Sequence, residues 1–222
     1  MEARCGSRVT LTERFDRALV FASEVHRTQK RKTSKAPYVS HLLGVCSLVL
    51  EDGGSEDEAI AALLHDSVED RAQVYEGGAP GLMAEIQRQF GPEVTRIVDA
   101  LTERPSAGTQ LIKDRRERWR AHKQLYIEQI LSYDLPVRRV SCADSLYNVR
   151  SLISGYRLLG NRLWTRFMTQ DPADQLWAYD AIARAFLAAG GTSLAFELDE
   201  AVAQLHRVTG VSRGHGSHGS EV

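Results

Sequence analysis

The stretch Ala61-Ala-Leu-Leu-His-Asp-Ser-Val-Glu-Asp70 constrains the fold more than any other, because an apolar run turns abruptly into a histidine, two aspartates and a glutamate. In one continuous helix, residues three and four apart share a face, so His65, Asp66, Glu69 and Asp70 would converge on a common side. A buried unpaired carboxylate is expensive. A His-Asp pair directly after Leu63-Leu64 is therefore best explained by a cation that holds the charges together. Further ligands for that cation must come from elsewhere in the chain.

The surrounding sequence is helical in pattern. Thr10-Leu-Thr-Glu13 has capping-box form, and Phe15, Ala18, Leu19, Ala22 and Val25 recur at helical spacing, which predicts a first helix to about His26. Tyr38 to Leu50 reads as a second, mostly buried helix with His41 in its first turn. Gly53-Gly54 ends it, and Ser55-Glu-Asp-Glu58 is a capping box opening the helix expected to run on through Asp70. Gly91-Pro92 separates a short helix through Phe90 from one over Glu93 to Thr102. Gln110 to Tyr133 reads as a long charged helix whose inward face is Leu111, Trp119, Leu125, Ile127, Ile130 and Leu131. Pro136 restarts the chain in a helix reaching Leu152-Ile153. Asp171-Pro172-Ala-Asp174 opens another that ends at Gly190-Gly191, and a last helix runs from Thr192 to about Val208.

No stretch alternates with strand period. The expected class is all-α, a single-domain bundle of about nine or ten helices over residues 10–210. The Gly/Ser/His-rich end, residues 211–222, is expected to be disordered, with no native metal role for His215 or His218.

With 222 residues, 43% of them hydrophobic, and a formal charge of −1, the chain supports one substantial core and carries no global basic footprint for nucleic acid. Cys5, Cys46 and Cys142 are too few for a disulfide framework. The first residues lack an apolar signal core, and no run approaches membrane-spanning length. The expectation is a soluble cytoplasmic protein with no membrane or nucleic-acid partner.

Three features outside the opening stretch matter for chemistry. Arg27 to Lys35 holds five cations, Arg27, Lys30, Arg31, Lys32 and Lys35, before Pro37. Composition alone leaves this as either a solvated loop or an anion-binding one. His41 lies among apolar neighbours, where a lone histidine is commonly a core residue. Asp144 and Asn148 share a helical face flanked by Cys142, Ala143 and Leu146. Taken together, His41, His65, Asp66 and Asp144 form a candidate ligand set suited to a divalent cation such as manganese, iron or zinc, with positions left for water and substrate.

The order His, His-Asp, distant Asp resembles that of the HD superfamily of metal-dependent phosphohydrolases. Longer matches are similar to the RelA/SpoT-type hydrolase domain and to the stand-alone small alarmone hydrolases. They are Arg31-Lys-Thr-Ser-Lys-Ala-Pro-Tyr-Val-Ser-His41, Ala61 to Asp70, Phe90-Gly-Pro-Glu-Val94 and Ala143-Asp-Ser-Leu-Tyr-Asn-Val-Arg150. These lie in register over a motif core of residues 15–152. The resemblance implies manganese held by His41, His65, Asp66 and Asp144, with Glu69 and Asp70 handling the attacking water. It implies substrate contacts at Arg31, Lys32 and Asn148. Leu163-Trp-Thr-Arg-Phe167 and Leu176-Trp-Ala-Tyr179 resemble segments that close a nucleotide pocket over residues 160–208, which adds Tyr179. The implied reaction removes the 3′-pyrophosphate of a (p)ppGpp-like alarmone, giving GDP or GTP and pyrophosphate.

Two departures stand against this match. The family reads Lys-Leu-Ala-Asp-Arg/Lys where this chain has Ser141-Cys-Ala-Asp-Ser145, and Leu42 replaces a usual proline after His41. Neither touches a ligand. The lost cations keep open an HD enzyme acting on another nucleotide phosphate, such as an adenosine alarmone or the 2′-phosphate of NADPH, and also a non-catalytic nucleotide-binding module.

Overall fold

Ten α-helices and two 3-10 turns make up the regular structure of residues 9–104, 106–190 and 192–213, which the computed structural model describes. The one strand-like pairing among these residues is an isolated antiparallel bridge between Lys30 and Pro37.

Helix α1 (Glu13–Val25) starts two residues later than the predicted capping box. Thr12, not Thr10, is the N-cap, accepting from the Arg14 N–H at 3.2 Å. The N–H and hydroxyl of Thr12 are themselves bound to Glu56 Oε1 at 2.6 and 2.8 Å, which ties this end of α1 to another helix and outcompetes a local box. Helix α2 (Val39–Glu51) follows the basic loop. The predicted Ser55–Glu58 box is formed and opens α3 (Glu56–Leu64). From Ala59 to Leu64 α3 is apolar on every side and wholly buried, as a helix without a polar face must be.

The expected continuous helix through Asp70 breaks. α3 ends at Leu64, His65 and Asp66 form a turn, and α4 (Ser67–Arg71) begins anew. The cause is local. The His65 Nδ1 donates to the Ala62 carbonyl at 2.9 Å, taking the acceptor that a continuing helix would give to the Asp66 N–H. Asp66 settles at φ −90°, ψ −4°, so the four polar residues do not share one helical face. After a 3-10 turn at Ala72–Val74, α5 (Gly78–Leu101) bends at Gly91, where φ is 86° and ψ is 174°. That left-handed φ suits glycine, and Pro92 then starts the second half, as predicted.

The segment Gln110 to Tyr133 departs most from expectation. It begins at the last residue of the short α6 (Ala107–Gln110), breaks, and continues as α7 (Arg115–Ile130), capped by Asp114. Of its predicted inward face Ile130 is buried, whereas Leu111 is 82% and Leu131 60% exposed, and Leu125 is also exposed. Within α7 itself Trp119 and Ile127 are half-buried, with Ile127 packed on the core, and ion pairs supplement this packing. Arg116 and Arg120 reach Asp174 of α9 (Pro172–Ala188) at 2.6 and 2.9 Å, and Arg120 lies over the Trp177 ring.

Helix α8 (Leu135–Leu159) extends a turn and a half past Ile153 and is the axis of the molecule. It packs against α2, α3, α5, α9 and α10 (Ser193–Thr209). A 3-10 turn at Gly160–Arg166 links it to α9. One contiguous apolar core runs from Phe15 to Leu205, with Leu42, Leu63, Leu146 and Phe186 among its fully buried members. No described helix is long and apolar enough to cross a membrane. His215 and His218 lie outside the described residues.

Candidate active site

Three elements separated in sequence deliver four side chains to one point. His41 comes from the first turn of α2, His65 and Asp66 from the turn between α3 and α4, and Asp144 from the middle of α8. The His41 Nε2 lies 3.1 Å from Asp144 Oδ1 and 3.4 Å from Asp66 Oδ2. The His65 Nε2 lies 3.1 Å from Asp66 Oδ2 and 3.7 Å from Asp144 Oδ1. Candidate ligand atoms of His41, His65 and Asp144 all fall within 4.8 Å of one another. Asp66 adjoins both imidazoles and accepts from the Tyr38 hydroxyl at 2.5 Å.

These residues fit a divalent cation. Because the His65 Nδ1 donates to a carbonyl, its neutral ring turns a lone pair outward at Nε2, and that atom is buried without a hydrogen-bond partner. A lone pair facing two carboxylates is repulsive unless a positive charge lies between them. A proton can serve. Burial works to lower the His65 pKa, but the Asp66 and Asp144 carboxylates hold it well above its ordinary value. Burial likewise opposes the charge on Asp66 and Asp144, yet the two histidines keep both below the usual carboxylate range. Two imidazoles and two ionised carboxylates would replace that proton with a borderline-hard metal ion.

Glu69 and Asp70 lie on α4, one turn past Asp66. Glu69 as a residue is exposed, but its carboxyl faces into the cleft wall and accepts from the Glu103 N–H at 3.3 Å. Desolvation there, followed by the charges of Glu103, Asp66 and Asp70, pushes its pKa up to about 7. Asp70 Oδ2 accepts from Gln29 Nε2 at 2.6 Å.

The basic loop is a braced turn. The Arg31 N–H donates to the Ala36 carbonyl at 2.9 Å, and the Lys35 N–H to the Arg31 carbonyl at 3.0 Å. Arg166, in the turn after α8, donates to the carbonyls of Thr33 and Lys32 at 2.5 and 3.2 Å. The loop thereby turns Lys30, Arg31 and Lys32 into the cleft beside Tyr38, Asp66, Asp144 and Phe167. Arg31 donates to Asn148 Oδ1 at 2.6 Å, and Asn148 Nδ2 to Asp144 Oδ1 at 2.7 Å, so the predicted contacts Arg31 and Asn148 are joined to the candidate ligand Asp144. Tyr179, from α9, also lines this cleft.

The sequence reading missed the far wall. Trp119, Lys123 and Tyr126 of α7 and Gln175 of α9 line the half of the cleft beyond Asp144. Lys123 pairs with Glu103 at 2.9 Å. The signal was present, since Trp119 was expected to point inward and Lys123 shares its helical face. Ser141 and Ser145, where the family carries cations, are buried on the Tyr126 hydroxyl at 2.7 and 3.3 Å.

The chain is 36% identical over 135 residues to the guanosine-3′,5′-bis(diphosphate) 3′-pyrophosphohydrolase MESH1 of Xenopus tropicalis, a match covering 60% of this chain and 65% of that protein. Identity to the Danio rerio MESH1 is 34% over 151 residues, covering 67% of this chain and 72% of the relative. The chain thus spans about two thirds of the length of these relatives. The solved structure of a metazoan ortholog of SpoT superposes with a TM-score of 0.65 at 22% identity, covering 92% of this chain and 99% of that one. A Listeria monocytogenes EGD-e structure gives 0.58 at 25% identity, covering 77% and 99%. The HD domain profile matches residues 18–162, and the chain belongs to the HD domain family.

Proposed function

We propose that this protein is a manganese-dependent, cytoplasmic phosphohydrolase that removes the 3′-pyrophosphate from a (p)ppGpp-like alarmone. The observation that carries the reading is the convergence of His41, His65, Asp66 and Asp144 from three elements, with Glu69 and Asp70 one turn away. Support for the substrate comes from the MESH1 relatives, named as 3′-pyrophosphohydrolases of guanosine-3′,5′-bis(diphosphate). No nucleic-acid or membrane partner is invoked.

His41, His65, Asp66 and Asp144 would hold the ion, which when bound supplies Lewis-acid polarisation of a phosphate oxygen and acidification of water. Glu69 and Asp70 take the proton from the attacking water and return one to the leaving group. Arg31 pairs with phosphate oxygens through its planar fork, and Lys32 adds a second positive charge at the mouth. Asn148, held between Arg31 and Asp144, links the phosphate contact to the ligand set. Tyr179 closes the nucleotide side.

The test is turnover of guanosine tetraphosphate, its adenosine analogue and NADPH with manganese. Asp66→Ala and Asp144→Ala should lose both metal and activity, while Glu69→Gln should retain metal and lose rate by about 100-fold or more. Wild-type turnover by Glu69→Gln would refute its role, and release of free phosphate from NADPH alone would reassign the substrate.

A further inference from the structure

His26, the C-cap residue of α1, is 2% exposed and touches none of the groups assigned above to metal or substrate. The hydrogen bonds around it nevertheless run without a gap into the acidic pair. Its Nδ1 lies 2.7 Å from Gln29 Oε1, its Nε2 lies 3.3 Å from the hydroxyl of the fully buried Ser67, and Gln29 Nε2 reaches Asp70 Oδ2 at 2.6 Å. The ring is stacked on Tyr38, with centroids 5.1 Å apart and planes 15° from parallel, which holds its orientation. Arg71 braces the same junction by donating to the Val25 carbonyl at 2.9 Å, so α4 is fixed against the end of α1.

Each link in this chain has one direction. A carboxylate only accepts, so Gln29 turns its NH2 toward Asp70 and its carbonyl oxygen toward His26. A carbonyl oxygen also only accepts, so the His26 proton sits on Nδ1. A neutral ring with that tautomer presents a lone pair at Nε2, which the Ser67 hydroxyl fills. Burial, which lowers the His26 pKa against the weaker pull of Gln29, Asp66 and Asp70, keeps the ring neutral. Ser67 adjoins Asp66, so the chain leaves the ligand turn at one end of α4 and returns to Asp70 at the other.

We propose that His26 and Gln29 are positioning residues for Asp70: the buried ring fixes which end of the Gln29 amide faces the cleft, and the Gln29 N–H fixes one oxygen of the Asp70 carboxylate. Asp70 is otherwise an exposed side chain on a five-residue helix. The bond to Gln29 engages Oδ2 and leaves Oδ1 to meet water. This inference rests on the reading of Glu69 and Asp70 as the proton-handling pair.

The deciding variant is Gln29→Glu, which keeps the shape and replaces the donor with an acceptor. With guanosine tetraphosphate and manganese it should lower kcat by roughly 10- to 100-fold while KM and bound manganese stay at wild-type values. His26→Leu should also lower kcat, and His26→Asn, which retains a donor toward Gln29, should recover part of the loss. Gln29 is partly exposed, so its variant decides the matter even where His26→Leu fails to fold. A wild-type kcat in Gln29→Glu, or an effect confined to KM, overturns the proposal. Asp70→Asn tests the underlying reading separately. Wild-type kcat there removes Asp70 from the reaction, whereas a lowered kcat there with an unaffected Gln29→Glu removes only the positioning. In the double variant Gln29→Glu should cost nothing beyond Asp70→Asn, and a full additive loss would show Gln29 acting through another group.

Discussion

Gly44→Ala is expected to damage the proposed metal site from a position outside its candidate ligands. Gly44 lies in α2 directly against Tyr147 of α8, and a Cβ built there would sit 1.9 Å from the Tyr147 Cε2, 2.4 Å from Cδ2 and 2.7 Å from Cζ. Ordinary contact begins at 3.4 Å, so the ring would have to retreat by about 1.5 Å. It has little freedom to do so. Its hydroxyl donates to the Ser40 carbonyl at 3.1 Å, and its ring packs at a tilt against the His41 ring at 5.1 Å and beneath Arg31 at 5.9 Å.

Two effects compete in this substitution. Replacing a helical glycine with alanine stabilises by about 1 kcal/mol through backbone propensity. Overpacking costs about 1–3 kcal/mol, and losing the tyrosine hydrogen bond about 1 kcal/mol more. The balance is a net loss of about 1–3 kcal/mol, or a melting temperature lower by about 3–10 °C for a chain of this size. Displacement of His41 should weaken manganese binding by about tenfold. Circular dichroism melts and calorimetric titration with manganese measure both. Tyr147→Phe is the control and should cost only the hydrogen bond, about 1 kcal/mol. A Gly44→Ala protein that melts higher than wild type and binds manganese equally would refute this packing of α2 on α8.

Three other outcomes are expected. The folded pKa of Glu69 is raised from 4.5 to about 7, so folding takes up a proton in that interval and this group's contribution to metal-free stability is lost as pH rises through it. Urea midpoints of Glu69→Gln should therefore fall less than those of wild type between about pH 5 and about pH 8. Arg139 joins α8 to the α2–α3 corner through Asp52 at 2.8 Å and through Glu58, with the two carboxylates 4% and 7% exposed. Arg139→Met strands both charges and should cost about 3–5 kcal/mol in urea unfolding, and a loss below about 1 kcal/mol would contradict the pairing. Chelation should lower the melting temperature and manganese restore it, by about 2.7 kcal/mol of stability at a free concentration 100 times Kd, with no such response in Asp144→Ala.

The parts of the fold set by neighbours in sequence were legible there. Ser55 to Glu58, Gly91-Pro92 and Asp171-Pro172 each start a helix through contacts within one turn, and each does so in the structure. The break after Leu64 was not legible, because it depends on whether the His65 side chain or the Asp66 N–H takes the Ala62 carbonyl. The face of α7 was legible at Trp119, Ile127 and Ile130 and misread at Leu125, for a different reason. Hydropathy periodicity registers apolar stripes, and α7 is held to α9 through Arg116, Arg120 and the buried Asp174. For the site, residue chemistry brought His41, His65, Asp66 and Asp144 into one candidate set, and the resemblance of whole motifs attached expected roles to Glu69, Asp70 and the substrate contacts.

The lost cations around Asp144 acquire a physical meaning once the cleft is seen whole. Ser141 and Ser145 are buried and spend their hydroxyls on Tyr126, so the α8 wall near Asp144 is neutral apart from the ligand itself. Positive charge enters instead from the basic loop on one side and from Lys123 of α7 on the other. Lys123 is already neutralised in part by Glu103, whose backbone N–H is bound to Glu69. Glu103 therefore touches both Glu69, the proposed proton-handling group, and Lys123, a cation of the cleft wall. Binding of phosphate near Lys123 would compete with Glu103, and any shift of Glu103 away from Glu69 would relieve one of the charges that raises the Glu69 pKa. In this chain Lys123 and Glu69 are thereby linked electrostatically through one glutamate, a link that cations on α8 itself would not provide.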